Sequence, residues 1–529
     1  MALVYRANVN FCSLFNTFSS KNVSSVKRFT SQYKHKVGNN DHVKGSIYGD
    51  AFHRMITERQ NQAMKSIIIK LNSFEAIDAA RQCCASYGQV IKAFPYNTIN
   101  DECFMLIEFD NYASILKLKN SMTSEVKSFQ TIGMVSPIYR YYADKSEEQK
   151  SSATITYYKT FTIPKRTDIV KKLKEIKSID GQMVALYHSL KFSEVDIRLR
   201  FFTAAELTYY VNRLFCNINV LPFGSSVNGF GQRGCDLDLV CSVSGTKNES
   251  AQKLHYLTNN ICFDSKVKHQ QFLEMVYTIL NTCVPTISNA KRILNARVPI
   301  LKFSIPSSNM QCDLSGPNEV ALYMSKLLYI FSEIDCRVKP LVCTIRKWAK
   351  NHRITREIPG QWITNFSLTL LIIFYLQRIE ILPPIAVLTS VQNKSGWKVS
   401  SSLSLQSILR GFFQFYSNFD FSTQAISIWE GKTKIKLDVS PIYIQNPFNE
   451  SLNVAKNIND IQLERLIHHF RDALNLLHYE ECSILHLLKY DSNEQNSTTD
   501  DNTVQQNETA IEEIFDLTNS IEEKKVIKS

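Results

Sequence analysis

Phe223-Gly224-Ser225 is followed, after ten residues, by Asp236-Leu237-Asp238-Leu239. Side chains two apart on a strand share a face, so Asp236 and Asp238 converge while the leucines turn inward. Two such carboxylates repel unless a cation lies between them, and Mg²⁺ favours hard oxygen ligands and phosphate oxygens together. A Gly-Ser turn just upstream can hold a triphosphate, and the chemistry this serves is metal-assisted nucleotidyl transfer. Asp-x-Asp alone is common in loops and solvated strands; order and context lift it here. The run Asn217–Phe223 reads as a strand ending at the Gly-Ser, a loop with Gly229, Gly231 and Gly234 follows, and Cys235–Cys241 reads as a second strand carrying the acids.

A site for two metal ions wants a third carboxylate. Arg297–Ile305 reads as a buried strand, Pro306–Asn309 as a turn, and Met310–Leu314 as the hairpin partner, placing Asp313 at a strand centre. Alone, Asp313 reads more simply as a turn or N-cap residue; behind a Gly-Ser…Asp-x-Asp unit it completes the acid set. Further on, Val338–Arg353 is an amphipathic helix with Leu341, Val342, Ile345, Trp348 and Ala349 as its buried stripe and Arg346, Lys350 and Arg353 on another face. By itself that basic face reads as a solvated one.

Phe223-Gly-Ser225, Cys235-Asp-Leu-Asp238, Cys312-Asp-Leu314, Arg346-Lys-Trp-Ala-Lys350, Ile358–Ser367 and Tyr443-Ile-Gln-Asn-Pro-Phe448 occur in this order over about half of the chain. In these blocks the sequence resembles the DNA polymerase β-like nucleotidyltransferases, specifically the noncanonical poly(A) polymerase and terminal uridylyltransferase branch, with its mitochondrial members nearest. The resemblance implies attack of an RNA 3′-hydroxyl on the α-phosphate of ATP, with Asp236 and Asp238 bridging two Mg²⁺ or Mn²⁺ ions and Asp313 holding the one at the attacking hydroxyl. It implies an ATP site of Phe223, Gly224, Ser225, Asn318, Arg346, Lys350, Asn365 and Phe366, with Arg346 where relatives usually carry Lys. Phe366 reads equally well as a base-stacking ring or as core. Leu452 stands where uridylyl-adding relatives often carry His, and Met324 where they carry a ribose-contacting Asn; both departures favour ATP. The alternatives are a terminal uridylyltransferase and a non-catalytic RNA-binding scaffold that keeps the fold.

These residues need elements to position them, and the order of elements gives an α+β class: a nucleotidyltransferase palm with a mixed sheet plus a helical central domain, behind an N-terminal ferredoxin-like module of the RNA-recognition type. The predicted boundaries are 60–140 for that module, 141–164 for a linker, 200–316 for the palm, and 165–199 with 317–488 for the helical domain. The module rests on a βαββαβ order from Ser66 to Val135. Leu106 stands where a stacking aromatic is usual, which weighs against RNA binding on this sheet and for packing or dimerisation. Mitochondrial members of the branch carry a comparable module and form dimers, which implies a homodimer here.

The 529 residues carry a net charge of +12. Residues 1–40 hold six Lys or Arg and no acid, whereas the stretch from Asp491 onward holds ten acidic residues and three Lys. Residues 1–42 therefore read as a mitochondrial transit peptide and 489–529 as a disordered acidic tail. A basic excess persists between them, as suits a protein that follows a phosphate backbone. The longest apolar run, Leu370–Leu376, is far too short to span a membrane. The thirteen Cys form no Cys-x-x-Cys pair, so neither a zinc site nor a disulfide framework is indicated.

Overall fold

The computed structural model describes residues 47–121, 129–131, 138–141, 158–159, 164–243 and 265–489, except 213, 216–217, 285, 357–359, 390–396, 398, 400 and 480–481. The leader predicted at 1–42, most of the linker at 141–164 and the tail from 490 lie outside the described residues. Among those described, no helix is long and apolar enough to cross a membrane.

A helix that the sequence reading did not anticipate, α1 (Ile47–Met64), precedes the N-terminal module. The module runs β1 (Ser66–Leu71), α2 (Ile77–Ala85), β2 (Val90–Asn97), β3 (Cys103–Phe109), α3 (Tyr112–Ser121), then the short strands β4 (Phe129–Thr131), β5 (Ile138–Tyr141) and β6 (Tyr158–Lys159). Its sheet has the order β4-β5-β1-β3-β2-β6, with β3 antiparallel to both β1 and β2. That is the split β-α-β core the sequence predicts. The fourth place differs. β5 lies beside β1 and runs parallel to it, while β4 pairs outside β5. Ile138, Tyr139 and Tyr141 are stronger strand formers than Phe129-Gln-Thr131, and the strand beside β1 is not the antiparallel return of a ferredoxin-like module.

Every residue of β3 is buried because both faces of the sheet are covered. Ile67, Ile69, Met105 and Ile107 pack with Ile77 and Ala80 of α2 and Leu118 of α3. On the opposite face Ile68, Phe94, Tyr96, Phe104 and Leu106 join one core with Leu199, Phe202 and Tyr210 of α6 (Glu194–Val211). Arg198 of α6 fastens this seam: its Nη1 donates to Glu108 of β3 at 2.7 Å, its Nε donates to Glu194 at 2.7 Å, and its guanidinium lies 4.9 Å from the Phe94 ring centre. The sheet face on which RNA-recognition modules stack bases is thus closed by the chain's own palm.

The palm consists of α6, β7 (Ile218–Pro222), β8 (Leu237–Val243), α7 (Ser265–Cys283), β9 (Ser288–Ile293), β10 (Ile300–Ile305) and β11 (Met310–Ser315). Its sheet has the order β7-β8-β11-β10-β9, and only β8 and β11 are parallel. Leu237, Leu239, Cys312, Leu314, Leu301 and Phe303 point into the core with Phe272 and Val276 of α7. Period-two alternation therefore turns the intervening residues toward the opposite face.

The helical domain has a separate core built from both sides of the palm in sequence. Before the palm come α4 (Arg166–Lys174) and α5 (Ile179–Leu190); after it come α8 (Glu319–Ile334), α9 (Val338–Asn351), α10 (Asn365–Arg378), α11 (Ile385–Thr389), α12 (Leu405–Ser417), α13 (Asp460–Leu476) and α14 (Ile484–Leu487). The predicted stripe of α9 is inside: Leu341, Val342, Ile345, Trp348 and Ala349 are all fully buried. This domain also holds a sheet that the sequence reading gave to helices: β12 (Gln424–Ser427), β13 (Lys432–Ile435), β14 (Ile444–Asn446) and β15 (Asn449–Asn453), in the order β13-β12-β14-β15.

Candidate active site

β7 ends in the turn Gly224–Ser226, which is held from three directions. The Phe223 N–H donates to the Asp238 carbonyl at 3.0 Å, tying the turn to β8. The Gly224 N–H donates to the Ser325 hydroxyl of α8 at 2.8 Å. Arg200 of α6, fully buried, donates from Nη1 to the Ser226 hydroxyl at 2.8 Å and to the Asp236 carbonyl at 2.9 Å, and from Nη2 to the Cys235 carbonyl. Its flat face lies 4.1 Å from the Phe192 ring centre. One guanidinium therefore locks the turn to the segment that begins the acidic strand.

Gly224 has φ +61, and a Cβ there would stand 2.8 Å from Oδ2 of Asp238. No other residue fits without left-handed strain of ~1–2 kcal/mol and a displaced carboxylate. Gly224→Ala is expected to lower kcat/KM about 100-fold, the usual cost of a misplacement near 1 Å, with a far smaller change in melting temperature. Steady-state kinetics beside a thermal melt check this; full activity in the alanine variant contradicts the placement of the turn.

Asp236, Asp238 and Asp313 lie within electrostatic reach of one another on one side of the palm sheet. Asp238 on β8 is the direct partner of Asp313 on the parallel strand β11. Asp236 lies two residues earlier on the same face. Burial, reinforced by Asp313 and Asp236, pushes the Asp238 carboxyl up to about 7. Burial likewise raises Asp313, against the pull of Lys302. Lys302, the partner of Asp313 on β10, places Nζ 3.9 Å from Asp236 Oδ2 and 3.9 Å from Asp313 Oδ1. That Oδ1 is buried and accepts no hydrogen bond.

This donor set fits a divalent cation: hard oxygens on one face, mutual repulsion that favours protonation, and an orphaned carboxylate oxygen. Among the described residues no three ligating side chains are already closed around a point. Mg²⁺ does not require that, since it is held by one or two carboxylates with waters and substrate phosphates completing its shell.

The remaining predicted residues fall on the elements around this cluster. Ser225 lies half-buried on the turn. Asn318 caps α8, accepting from the Ala321 N–H at 3.2 Å, and the same helix supplies Ser325 to the turn. Arg346 is half-buried on α9 and donates to the Phe230 carbonyl of the Gly-rich loop at 3.0 Å, while Lys350 one turn on is exposed. Asn365 and Phe366 open α10 behind the cap Thr364; Phe366 is 36 % exposed whereas Ser367–Gln377 are buried. Its ring is therefore presented rather than packed. Leu452 is half-buried on β15. Ser367 donates to the Val454 carbonyl at 3.1 Å, drawing the start of α10 to the end of β15. Tyr323 of α8 meets Phe448 at 5.9 Å between ring centres, which brings the Asn446–Leu452 segment against the helix that carries Asn318. Met324 is buried in the helical core at 6 % exposure, so its place there is a packing one.

Arg200, Lys302 and Ser325 were not foreseen. Lys302 was within reach, because a hairpin turning at Pro306–Asn309 sets it opposite Asp313. Arg200, embedded in Leu199-Arg-Phe-Phe202, gives no periodic signal.

Residues 179–333 match the family described as "Poly(A) RNA polymerase, mitochondrial-like, central palm domain", and residues 404–452 match "Cid1 family poly A polymerase". The chain is 32% identical over 458 residues to the human protein called "Poly(A) RNA polymerase, mitochondrial", covering 81% of this chain and 78% of that one. It is 32% identical to the Drosophila melanogaster protein of the same name, covering 83% and 80%. Crystal structures of mtPAP, apo and in complex with ATPγS, superpose with TM-scores of 0.74 and 0.73 at 29% and 28% identity, each covering 83% of this chain and 99% of the other. With 32% identity spread over four fifths of its length, the chain belongs to the mitochondrial poly(A) RNA polymerase family.

Proposed function

We propose that this chain is a template-independent polynucleotide adenylyltransferase that adds AMP from ATP to RNA 3′ ends in mitochondria. The observation that carries the reading is the pairing of Asp238 with Asp313 beside a turn whose glycine is pressed against the Asp238 carboxylate. Incubating the purified protein with an RNA primer and each nucleoside triphosphate in turn tests it. ATP is expected to extend the primer best; a preference for UTP overturns the assignment.

Asp236, Asp238 and Asp313 hold Mg²⁺ or Mn²⁺ in this proposal. When bound, such ions would stabilise the charge on the entering and leaving oxygens of an in-line displacement. The Gly224–Ser226 turn orients the triphosphate, with the Ser225 hydroxyl as donor and Gly224 allowing close approach. Asn318 lies toward the ribose. Arg346 sets the Gly-rich loop through the Phe230 carbonyl, and with Lys350 supplies positive charge for the leaving pyrophosphate. Asn365 and Phe366 face the nucleobase, and Leu452 forms an apolar wall beside it. An apolar wall offers uracil no hydrogen bond to reward the smaller base, and such a bond is worth ~0.5–1.5 kcal/mol net. Leu452→His is accordingly expected to shift the ratio of UTP to ATP incorporation toward UTP by up to about tenfold. An unchanged ratio removes Leu452 from selectivity.

The proposed division into domains rests on a core between the module's sheet and its helices α2 and α3 and on one uniting α4 and α5 with α8–α14, while a third core seams the module's other face to the palm. Dimerisation through the N-terminal module belongs to the same proposal. With the sheet face closed by the palm, the surfaces left for it are the helical side of α2 and α3 and the strand edges. Sedimentation showing only monomer at every concentration contradicts the dimer.

A further inference from the structure

We infer that the palm sheet continues beyond its acids as a basic row that seats the phosphate backbone of the RNA being extended. The inference rests on the proposed reading and deepens it by assigning the primer's path. Cross-strand partners share a face of the sheet. Asp238 pairs with Asp313, Asp313 with Lys302, and Lys302 with Lys291. Four charged side chains thus line up across β8, β11, β10 and β9, one strand spacing of ~4.8 Å apart. The sign of the charge reverses between Asp313 and Lys302.

The direction of this row fixes its occupant. The turn that takes the triphosphate lies on the β7 side of the acids, so the nucleotide enters over β7 and β8. In an in-line displacement the attacking 3′-hydroxyl stands opposite the leaving group, which is the side of Asp313, the last acid in the row. The strand ending in that hydroxyl therefore leaves over β10 and β9, where Lys302 and then Lys291 stand. Lys302 reaches back to Asp236 and Asp313 at 3.9 Å and marks the boundary. Lys291 is exposed at the outer edge. The neighbouring residue gives the internal contrast: Arg292 pairs with the fully buried Leu301, lies 4.8 Å from the Tyr277 ring centre of α7 and binds Glu274 at 3.0 Å, all on the opposite face. Lysines present point charges to phosphate and read no base edges, so this track holds RNA irrespective of sequence.

Fluorescence anisotropy of a labelled oligo(A) primer with the full chain, without ATP and over a salt series, tests the inference. Lys291→Gln is expected to raise the Kd about threefold to tenfold at low salt and to make the slope of log K against log salt shallower by about 0.7. Arg292→Gln removes the same charge one residue away and is expected to change the Kd less than twofold. An oligo(C) primer is expected to show the same shift as oligo(A). Equal effects of the two substitutions, or an unchanged slope in Lys291→Gln, overturn the basic row while primer extension with ATP keeps the functional reading intact. The expected slope change in Lys291→Gln, beside a wild-type protein that extends no primer with any nucleotide, leaves the row standing and removes that reading instead.

Discussion

Asp238→Asn is expected to abolish nucleotide addition and, in metal-free protein near pH 8, to raise the melting temperature. The two effects have one cause. Burial and the neighbouring acids push the Asp238 carboxyl from 3.8 up to about 7. A carboxyl raised on folding imposes no penalty below its unfolded pKa; the penalty grows as pH rises from about 4 to about 7 and is constant above. Stability of the metal-free wild type therefore falls across that window, by up to a few kcal/mol, and the neutral amide escapes the loss. The same amide cannot serve as an anionic ligand, so kcat is expected to fall at least about 1,000-fold, roughly 4 kcal/mol of barrier. Adding Mg²⁺ with an unreactive ATP analogue is expected to raise the wild-type melting temperature and to leave that of the variant nearly unmoved. Lost activity with lowered stability would instead mark Asp238 as a structural residue.

Arg200→Met is expected to be damaging in both respects. The guanidinium is buried, and its removal leaves the Ser226 hydroxyl and the Cys235 and Asp236 carbonyls without their donor. Charge-assisted hydrogen bonds of this kind are worth ~1.5–3 kcal/mol each, and their joint loss is expected to cost roughly 3–5 kcal/mol. A positioning role predicts more than instability. Freed from Arg200, the turn and the start of β8 lose their common anchor, so kcat measured on the folded fraction should fall about 100-fold and metal affinity should weaken with it. Arg200→Lys keeps the charge but not the fork and is expected to recover part of the stability and less of the rate. A melting temperature lowered with kcat intact would confine Arg200 to the fold.

The site was legible in the sequence where a short period fixed direction. Alternation placed Asp236 and Asp238 on one face, and the Pro306–Asn309 turn set Asp313 in the neighbouring strand. The apolar stripe of α9 was equally plain. What escaped has physical reasons. α6 is buried nearly all round, so Arg200 sits in a helix without a polar face to betray its partners. The small sheet of the helical domain is made of strands three to five residues long such as Lys432-Thr-Lys-Ile435 and Asn449-Glu-Ser-Leu-Asn453, too short and polar for a strand signal. The row from Asp238 to Lys291 depends on three successive pairings, and register between distant strands is not written in any one of them. The exposure of Phe366 depends on where α10 begins, which its Thr364 cap fixes and the apolar run after it does not reveal.

Mn²⁺ binding followed by electron paramagnetic resonance, with an unreactive ATP analogue present, tests the central claim most directly. Two ions per wild-type chain are predicted, falling to one or none in Asp313→Asn and in Asp238→Asn. Two ions bound with unchanged affinity after either substitution would contradict the placement of catalysis on these three aspartates.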